Sequence, residues 1–455
     1  MKTLIAMQIA KIIGATIVAG DAEALACAGV STDTRNLPAG CIFIALRGEK
    51  FDANTFALQA LAAGATVAIV DYWQSEAPTK GAVLLVKDTL LALQKLADWW
   101  RDQISLHVIG LTGSNGKTST KDFTAAILSQ RFLVNATRGN LNNHIGLPLT
   151  VLATTPEHQA AVWEMGMNHA GEIAPLVAIA RPQIAIITNV GSAHIEFLGS
   201  REAIAREKAS IAANLTAEEV LILPHDCDFM PLIRSLTAAR IITTGGADDH
   251  IRAENIRDEE GHACFTLRIG AEQQAEIRLG VAGKHMVANA LLAAAAANIL
   301  NISLEKITAG LHQASLTSGR LRRFVSDQIT VFDDTYNANP ESIIAGLETL
   351  AQQQISASSH RYAVLGRMAE LGDHAEAAAR QVGQHAAKLG ITVVAVGGGA
   401  ELIAASAGDH AKHYSTREAA AEYLQQTIHP GDAILFKGSR TSSMELVMKQ
   451  LFPNN

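Results

Sequence analysis

The chain has 455 residues, is 48% hydrophobic but only 5% aromatic, and carries a net charge of −7. Its cores must be built from Ala, Val, Ile and Leu, which suits helices alternating with parallel strands better than an all-β sandwich, and the length suggests about three domains. The charge argues against a nucleic-acid binder that relies on a broad basic surface, and the four scattered cysteines (Cys27, Cys41, Cys227, Cys264) argue against a zinc cage or disulfide framework and fit a reducing cytosol.

The N-terminal run Met1–Lys11 is interrupted by Gln8 and Lys11 and reads as a first helix rather than a signal peptide. Short strands are expected at Ile42–Leu46, Thr66–Val70 and Val83–Val86, with a helix over Phe56–Ala63, making a first domain of residues 1–86. A helix over Thr89–Arg101 opens a second domain, 87–317, whose strands are Leu106–Leu111, Ala161–Met165, Ile184–Thr188 and Val220–Leu223. Apolar β-branched runs separated by helical stretches signal a mostly parallel sheet covered on both faces. Residues 245–280 are polar and irregular and read as a β-rich excursion from that sheet. The apolar run Ala290–Leu300 is too short to span a bilayer, so a soluble cytoplasmic protein is expected. The third domain, 318–455, repeats the alternation with strands at Ile329–Phe332, Tyr362–Leu365, Thr392–Val396 and Ala433–Phe436, a smaller doubly wound unit. The fold class is α/β throughout.

The most informative stretch is Ile109–Ser119, IGLTGSNGKTS, where an apolar strand runs through a glycine-rich turn into a helix from Lys117. This arrangement cradles a nucleotide triphosphate. Thr112, Gly113, Ser114, Asn115 and Gly116 form the turn, whose glycines let backbone N–H groups approach phosphate. Lys117 reaches the terminal phosphates, the Thr118 hydroxyl can ligate Mg²⁺, and Ser119 follows in the first helical turn. The spacing is compact: Leu111 stands where the usual phosphate loop has its first glycine.

Four further constellations could carry chemistry. Glu164 lies near the C-terminal end of a central strand, where open α/β sheets bind ligands, and could hold Mg²⁺; a strand-end Glu paired with a lysine is the plainer alternative. His194 follows another strand end and Lys208 sits on the next helix; singly they read as a hydrogen-bonded histidine and a solvated lysine. Asn289 lies early in a helix starting near His285 and could read an adenine edge, or simply belong to the helix start. Arg320 lies at the junction of the second and third domains and could reach a γ-phosphate, and Asp334 ends a strand and could accept from ribose hydroxyls. The segment that follows, Tyr336-Asn337-Ala338-Asn339-Pro340, is a turn by its chemistry alone.

Together these motifs resemble the Mur ligase superfamily, over essentially the whole chain and in order. The segments DDTYNANP (333–340) and VLGRMAELG (364–372) narrow the resemblance within it, and STDTRNLPAGCIFIALRG (31–48), ATRGNLNNHIGLPLT (136–150) and FKGSRTSSME (436–445) look the same way. The resemblance implies a three-domain architecture with a central P-loop mononucleotide-binding sheet and a C-terminal Rossmann-like domain. It implies that Ser31, Asp33 and Arg35 hold the UDP part of a nucleotide sugar, and that Asn140, Asn142 and Asn143 line the muramyl-peptide site. Glu164, His194 and Lys208 would match metal ligands beside Thr118, with Lys208 carbamylated so that it offers anionic oxygen to a second Mg²⁺. Asn289 would contact adenine, Arg320 the γ-phosphate and Asp334 the ribose, while Tyr336, Asn337 and Asn339 would face substrate. Met286, Arg367 and Asn54 depart from the family pattern, outside the phosphate and metal set.

The implied activity is ATP-driven amide formation between UDP-MurNAc-tripeptide and D-Ala-D-Ala, through an acyl phosphate, by a monomer that needs neither nucleic acid nor membrane. A sibling ligase adding a different amino acid is the alternative, and a nucleotide switch that ligates nothing is a third reading. A switch would not need Glu164, His194 and Lys208.

Overall fold

The structure is a computed structural model that describes residues 1–48, 51–259 and 261–453. The chain folds into two compact units: Met1–Gly110 with Phe132–Met167 and Gly171–Gln183, and Leu111–Arg131 with Asn168–Ala170 and Ile184–Asn455.

In the first unit, five strands lie in the order Thr16–Gly20, Ala82–Leu85, Val67–Val70, Ile42–Ile44, Val30–Ser31. The first pair is antiparallel and the rest parallel. Phe43, Ala68 and Val83 pack with Ala57, Ala60 and Leu61 into an apolar core beneath. The helix expected over 56–63 forms as a 3-10 turn, Ala53–Phe56, followed by an α-helix, Ala57–Ala62. Its start is set by Asp52, whose side chain accepts from Asn54 N at 2.9 Å. The helix Thr89–Asp102 begins at Asp88, which caps Leu91 N at 3.0 Å, a satisfied N-terminus of the usual kind. The helix is anchored by buried Trp100, whose Nε1 donates to Thr154 O at 2.9 Å. The strand Ala160–Glu164 pairs in parallel with Val134–Ala136, and its fully buried residues end in Glu164.

In the second unit, the end of the strand His107–Thr112 passes through the glycine turn into the helix Lys117–Leu128. The strands Ile184–Ile187, Val220–Pro224 and Arg240–Thr244 are parallel. The β-rich excursion is an antiparallel ribbon of Ile251–Glu259, His262–Ile269 and Gln273–Arg278. The helix Lys284–Ile299 is alanine-rich and mostly buried, because it packs closely against Lys117–Leu128. That packing carries Asn289 to the phosphate loop.

The rest of the unit is a six-stranded sheet in the order Arg322–Ser326, Ile329–Asp334, Ala433–Lys437, Arg361–Gly366, Thr392–Val396, Ala411–Tyr414. Only the first pair is antiparallel. Val331, Val364, Val394, Ile434 and Phe436 fill its core against Leu424 and Val447. The register sets Asp334 beside Lys437 at the carboxyl ends of adjacent strands, where such sheets hold ligands. Among the described residues no helix is long and apolar enough to cross a membrane.

Candidate active site

The phosphate loop is held in shape by the strand-end loop after Ile187. Ser114 N donates to Asn189 O (3.1 Å) and Asn115 N to Asn189 Oδ1 (2.9 Å). Thr188 Oγ1 and Asn189 Nδ2 both donate to Asn115 O, and Gly191 N donates to Ser114 Oγ at 2.8 Å. Gly113 must be glycine: at φ 151° an added Cβ would fall 1.8 Å from Thr188 Oγ1. Lys117 Nζ donates to Gly113 O at 2.8 Å and Ser114 O at 3.4 Å, so the ammonium is poised at the loop it would share with phosphate. Thr112, Thr118 and Ser119 are buried, and the Oγ1 of Thr112 has no partner among the described residues.

Arg320 comes to this loop from the six-stranded half of the unit. Its Nη2 donates to Thr118 Oγ1 at 3.3 Å, and its Cζ lies 3.9 Å from the centroid of the Tyr336 ring. Its Nε is buried without a partner among the described residues, a donor that an anion would satisfy. Tyr336 is thus a platform for the guanidinium. Asp334 accepts from Leu321 N at 3.2 Å and from Lys437 Nζ at 2.5 Å, and Lys437 also donates to Asn337 O at 3.0 Å. Burial pushes the Lys437 amine below its ordinary value, and Asp334 pulls it back up. Asn339 caps the helix Pro340–Gln352, its Oδ1 accepting from Ser342 N at 2.9 Å, while its Nδ2 donates to Asn115 Oδ1 at 2.7 Å.

Lys208, on the helix Arg201–Ala209, is 1% exposed. Desolvation pushes its amine well below the ordinary lysine value, the charge of Lys117 adds to the shift, and Glu207 opposes it. His194 has a left-handed backbone (φ 66°), and its Nδ1 lies 2.5 Å from Glu370 Oε2. That contact holds the Glu370 carboxyl below its usual range.

Within the first unit, buried Glu164 accepts from Asn142 Nδ2 at 2.8 Å, and its N–H donates to Thr137 Oγ1 at 2.9 Å. Asn143 stays local, its Oδ1 accepting from Ile145 N and Gly146 N, and Asn140 supports the turn by accepting from Asn142 N at 2.8 Å. Ser31, Asp33 and Arg35 meet on an exposed turn, where Asp33 Oδ2 takes Arg35 Nη2 at 2.6 Å. The Arg35 side chain and backbone N–H hold the Asp33 carboxyl at about 2. Among the described residues no three His, Cys, Asp or Glu side chains group as a metal cage.

Sequence reasoning did not single out Thr188, Asn189, Ser192, Glu341, Glu370 or Lys437. A polar Thr-Asn pair directly after an apolar strand, and a lysine directly after the strand run AILF, were the available signals.

The Mur ligase middle domain family model matches residues 111–297 and the Mur ligase glutamate ligase domain model matches 319–440. The chain is 39% identical to a ligase of Escherichia coli (strain K12), covering 93% of this chain and 94% of that protein, and 36% identical to one of Bacillus subtilis (strain 168), covering 98% and 97%. The crystal structure of MurF from Acinetobacter baumannii superposes with a TM-score of 0.92 at 36% identity, covering 100% and 99% of the two chains. MurF ligase from Thermotoga maritima in complex with ADP gives 0.83 at 26% identity, covering 93% and 96%. A glycine-rich phosphate loop faced by an arginine from a second sheet, on this fold, defines an ATP-dependent ligase, and the chain belongs to the Mur ligase family. Both of those curated relatives are named UDP-N-acetylmuramoyl-tripeptide–D-alanyl-D-alanine ligase, and it is with this branch of the family that the chain stands.

Proposed function

We infer that the protein forms an amide bond between UDP-MurNAc-tripeptide and D-alanyl-D-alanine, giving UDP-MurNAc-pentapeptide, ADP and phosphate in the synthesis of peptidoglycan precursors. The observation that carries this reading is Arg320 on Thr118, with a buried Nε left for an anion, in a chain whose full-length relatives bear that ligase's name. The tripeptide's terminal carboxylate attacks the γ-phosphorus and ADP departs, leaving an acyl phosphate. The neutral amine of D-Ala-D-Ala then attacks the acyl carbon, and the tetrahedral adduct releases phosphate. Such chemistry needs mainly positioning and charge neutralisation. Lys117 and Arg320 supply the neutralisation, Tyr336 packs against the guanidinium, and Asn289 and Asp334 are assigned to adenine and ribose.

Thr118, His194 and Lys208 are the residues of the second unit that would hold Mg²⁺, and Glu164 is the candidate in the first; two ions there would neutralise phosphate charge. Lys208 fits this role only if modified. An amine so deeply desolvated is readily neutral, the form that adds CO₂ and releases a proton, and the carbamate replaces a buried cation with ligating oxygen. The UDP sugar is assigned to Ser31, Asp33 and Arg35, and the muramyl peptide to the Asn140–Asn143 loop, with Tyr336, Asn337 and Asn339 toward the reacting end. We divide the chain functionally into residues 1–86 for the UDP sugar, 87–317 for ATP and 318–455 for the dipeptide, in a monomer acting in the cytoplasm. Coupled phosphate release with UDP-MurNAc-tripeptide tests the assignment. It should require D-Ala-D-Ala, and release driven equally by a single amino acid would move the chain to a sibling activity.

A further inference from the structure

We propose that the segment Asn339–Glu341 is a strap coupling the six-stranded sheet to the phosphate loop, and that Glu341 is a positioning residue for nucleotide binding. The Glu341 carboxylate accepts twice from one residue: Ser192 N at 2.9 Å and Ser192 Oγ at 3.0 Å. Two residues back, Asn339 Nδ2 donates to Asn115 Oδ1 at 2.7 Å. Ser192 lies in the same loop that grips the phosphate turn through Asn189 and Gly191. One turn of chain therefore takes hold of the phosphate loop directly at Asn115 and indirectly through Ser192.

The approach is close. An added Cβ on Gly191 would meet Glu341 Cδ at 3.2 Å and Ser114 Cβ at 3.3 Å, so Glu341 and the phosphate loop both lie close to the strand-end loop at this glycine. Glu341 sits in the first turn of the helix Pro340–Gln352, where a carboxylate is favoured by the helix dipole. The same helix follows the strand that ends in Asp334, and Arg320 lies against Tyr336 of the connecting segment. Fixing the strap therefore fixes the surroundings of the groups that Arg320 and Asp334 offer. Whatever orders the phosphate loop also favours strap docking, and by reciprocity a docked strap favours the ligand that orders the loop.

The inference rests on nucleotide binding by the phosphate loop, and its test separates the two. Full-length wild type, Glu341→Ala, Glu341→Gln, Ser192→Ala and Glu341→Ala/Ser192→Ala are titrated calorimetrically with ADP and a non-hydrolysable ATP analogue, each with Mg²⁺. Because Glu341 is exposed, the effect belongs at the low end of such couplings, with Kd raised about five-fold in Glu341→Ala. Glu341→Gln, which keeps one acceptor oxygen, should lose only about two-fold. Adding Ser192→Ala to Glu341→Ala should change nothing further, and KM for ATP should rise while kcat holds. Wild-type affinity in Glu341→Ala, or additive losses in the double variant, overturns the strap; if Glu341→Ala fails to fold, Glu341→Gln carries the comparison. No nucleotide binding by wild type would overturn the functional reading as well.

Discussion

Replacing Gly116 by alanine probes the place where the phosphate loop meets the helix Lys284–Ile299. Gly116 has φ 77°, and an added Cβ would lie 2.4 Å from Asn289 Oδ1 and 3.0 Å from its Cγ and Nδ2. A left-handed alanine costs roughly 1–2 kcal/mol. Asn289 must also leave its rotamer, at about 0.5–1.5 kcal/mol, so the protein should lose about 2–3 kcal/mol of stability. Displacing Asn289 withdraws the amide proposed for the adenine edge, and about 1.4 kcal/mol of lost hydrogen bonding weakens nucleotide binding about ten-fold. The clash involves only side-chain atoms of Asn289, so Asn289→Ala removes it. Gly116→Ala/Asn289→Ala should then be less destabilised than the sum of the single variants by about 1 kcal/mol, the rotamer cost. Urea unfolding and ADP titration of the four proteins measure both quantities. Strict additivity of stability, or wild-type ADP affinity in Gly116→Ala, would refute the reasoning.

Lys208→Ala should be nearly inactive, and short-chain carboxylates should partly restore turnover if a carbamate is the working form; a mass of active enzyme showing only unmodified Lys208 would count against that form. His285 is held at about 4 against an ordinary 6.5, first by burial, with Lys437 adding and Asp334 opposing. Its folded-state value is lowered, so the unfolded chain takes up the proton first. Stability is full above about 6.5 and falls as pH drops toward about 4, by at most about 3 kcal/mol, less what water screens at this partly exposed residue. His285→Gln should flatten that stretch of the urea-unfolding profile, and an unchanged slope would show that another group titrates there.

The phosphate loop was legible because it is local: strand, glycine turn and helix succeed one another within Ile109–Ser119, and each obeys its own short-range rule. The long apolar strands were legible for the same reason, and their ends differ from expectation by one or two residues. Short strands such as Thr16–Gly20, Val134–Ala136 and Ala411–Tyr414 were not, since none carries a continuous buried run. All three lie at sheet edges, where pairing on one side replaces hydrophobic pattern as the cause of extension.

What no local rule could supply is the set of contacts that makes a loop into a site. Arg320 meets Thr118 across 202 residues, Asn339 meets Asn115 across 224 and Lys437 meets Asp334 across 103. The first two pairs bring the six-stranded half against the phosphate loop and the third joins adjacent strands of one sheet, while Arg320 and Asn339 alone had ordinary explanations, a junction arginine and a turn asparagine. Asn339 shows the consequence. The resemblance pointed to substrate, whereas its amide here caps a helix with oxygen and holds Asn115 with nitrogen. The amide nitrogen carries a second N–H, so the bond to Asn115 and a contact with substrate are compatible. Arg320 shows the converse. Nothing in its neighbourhood of sequence requires an anion, yet the fold buries its Nε without an acceptor among the described residues, while the Tyr336 ring lies 3.9 Å from its Cζ and Thr118 accepts from its Nη2. A guanidinium with a buried, unmet N–H calls for an acceptor, and a transferring phosphoryl group is the kind of partner that supplies one.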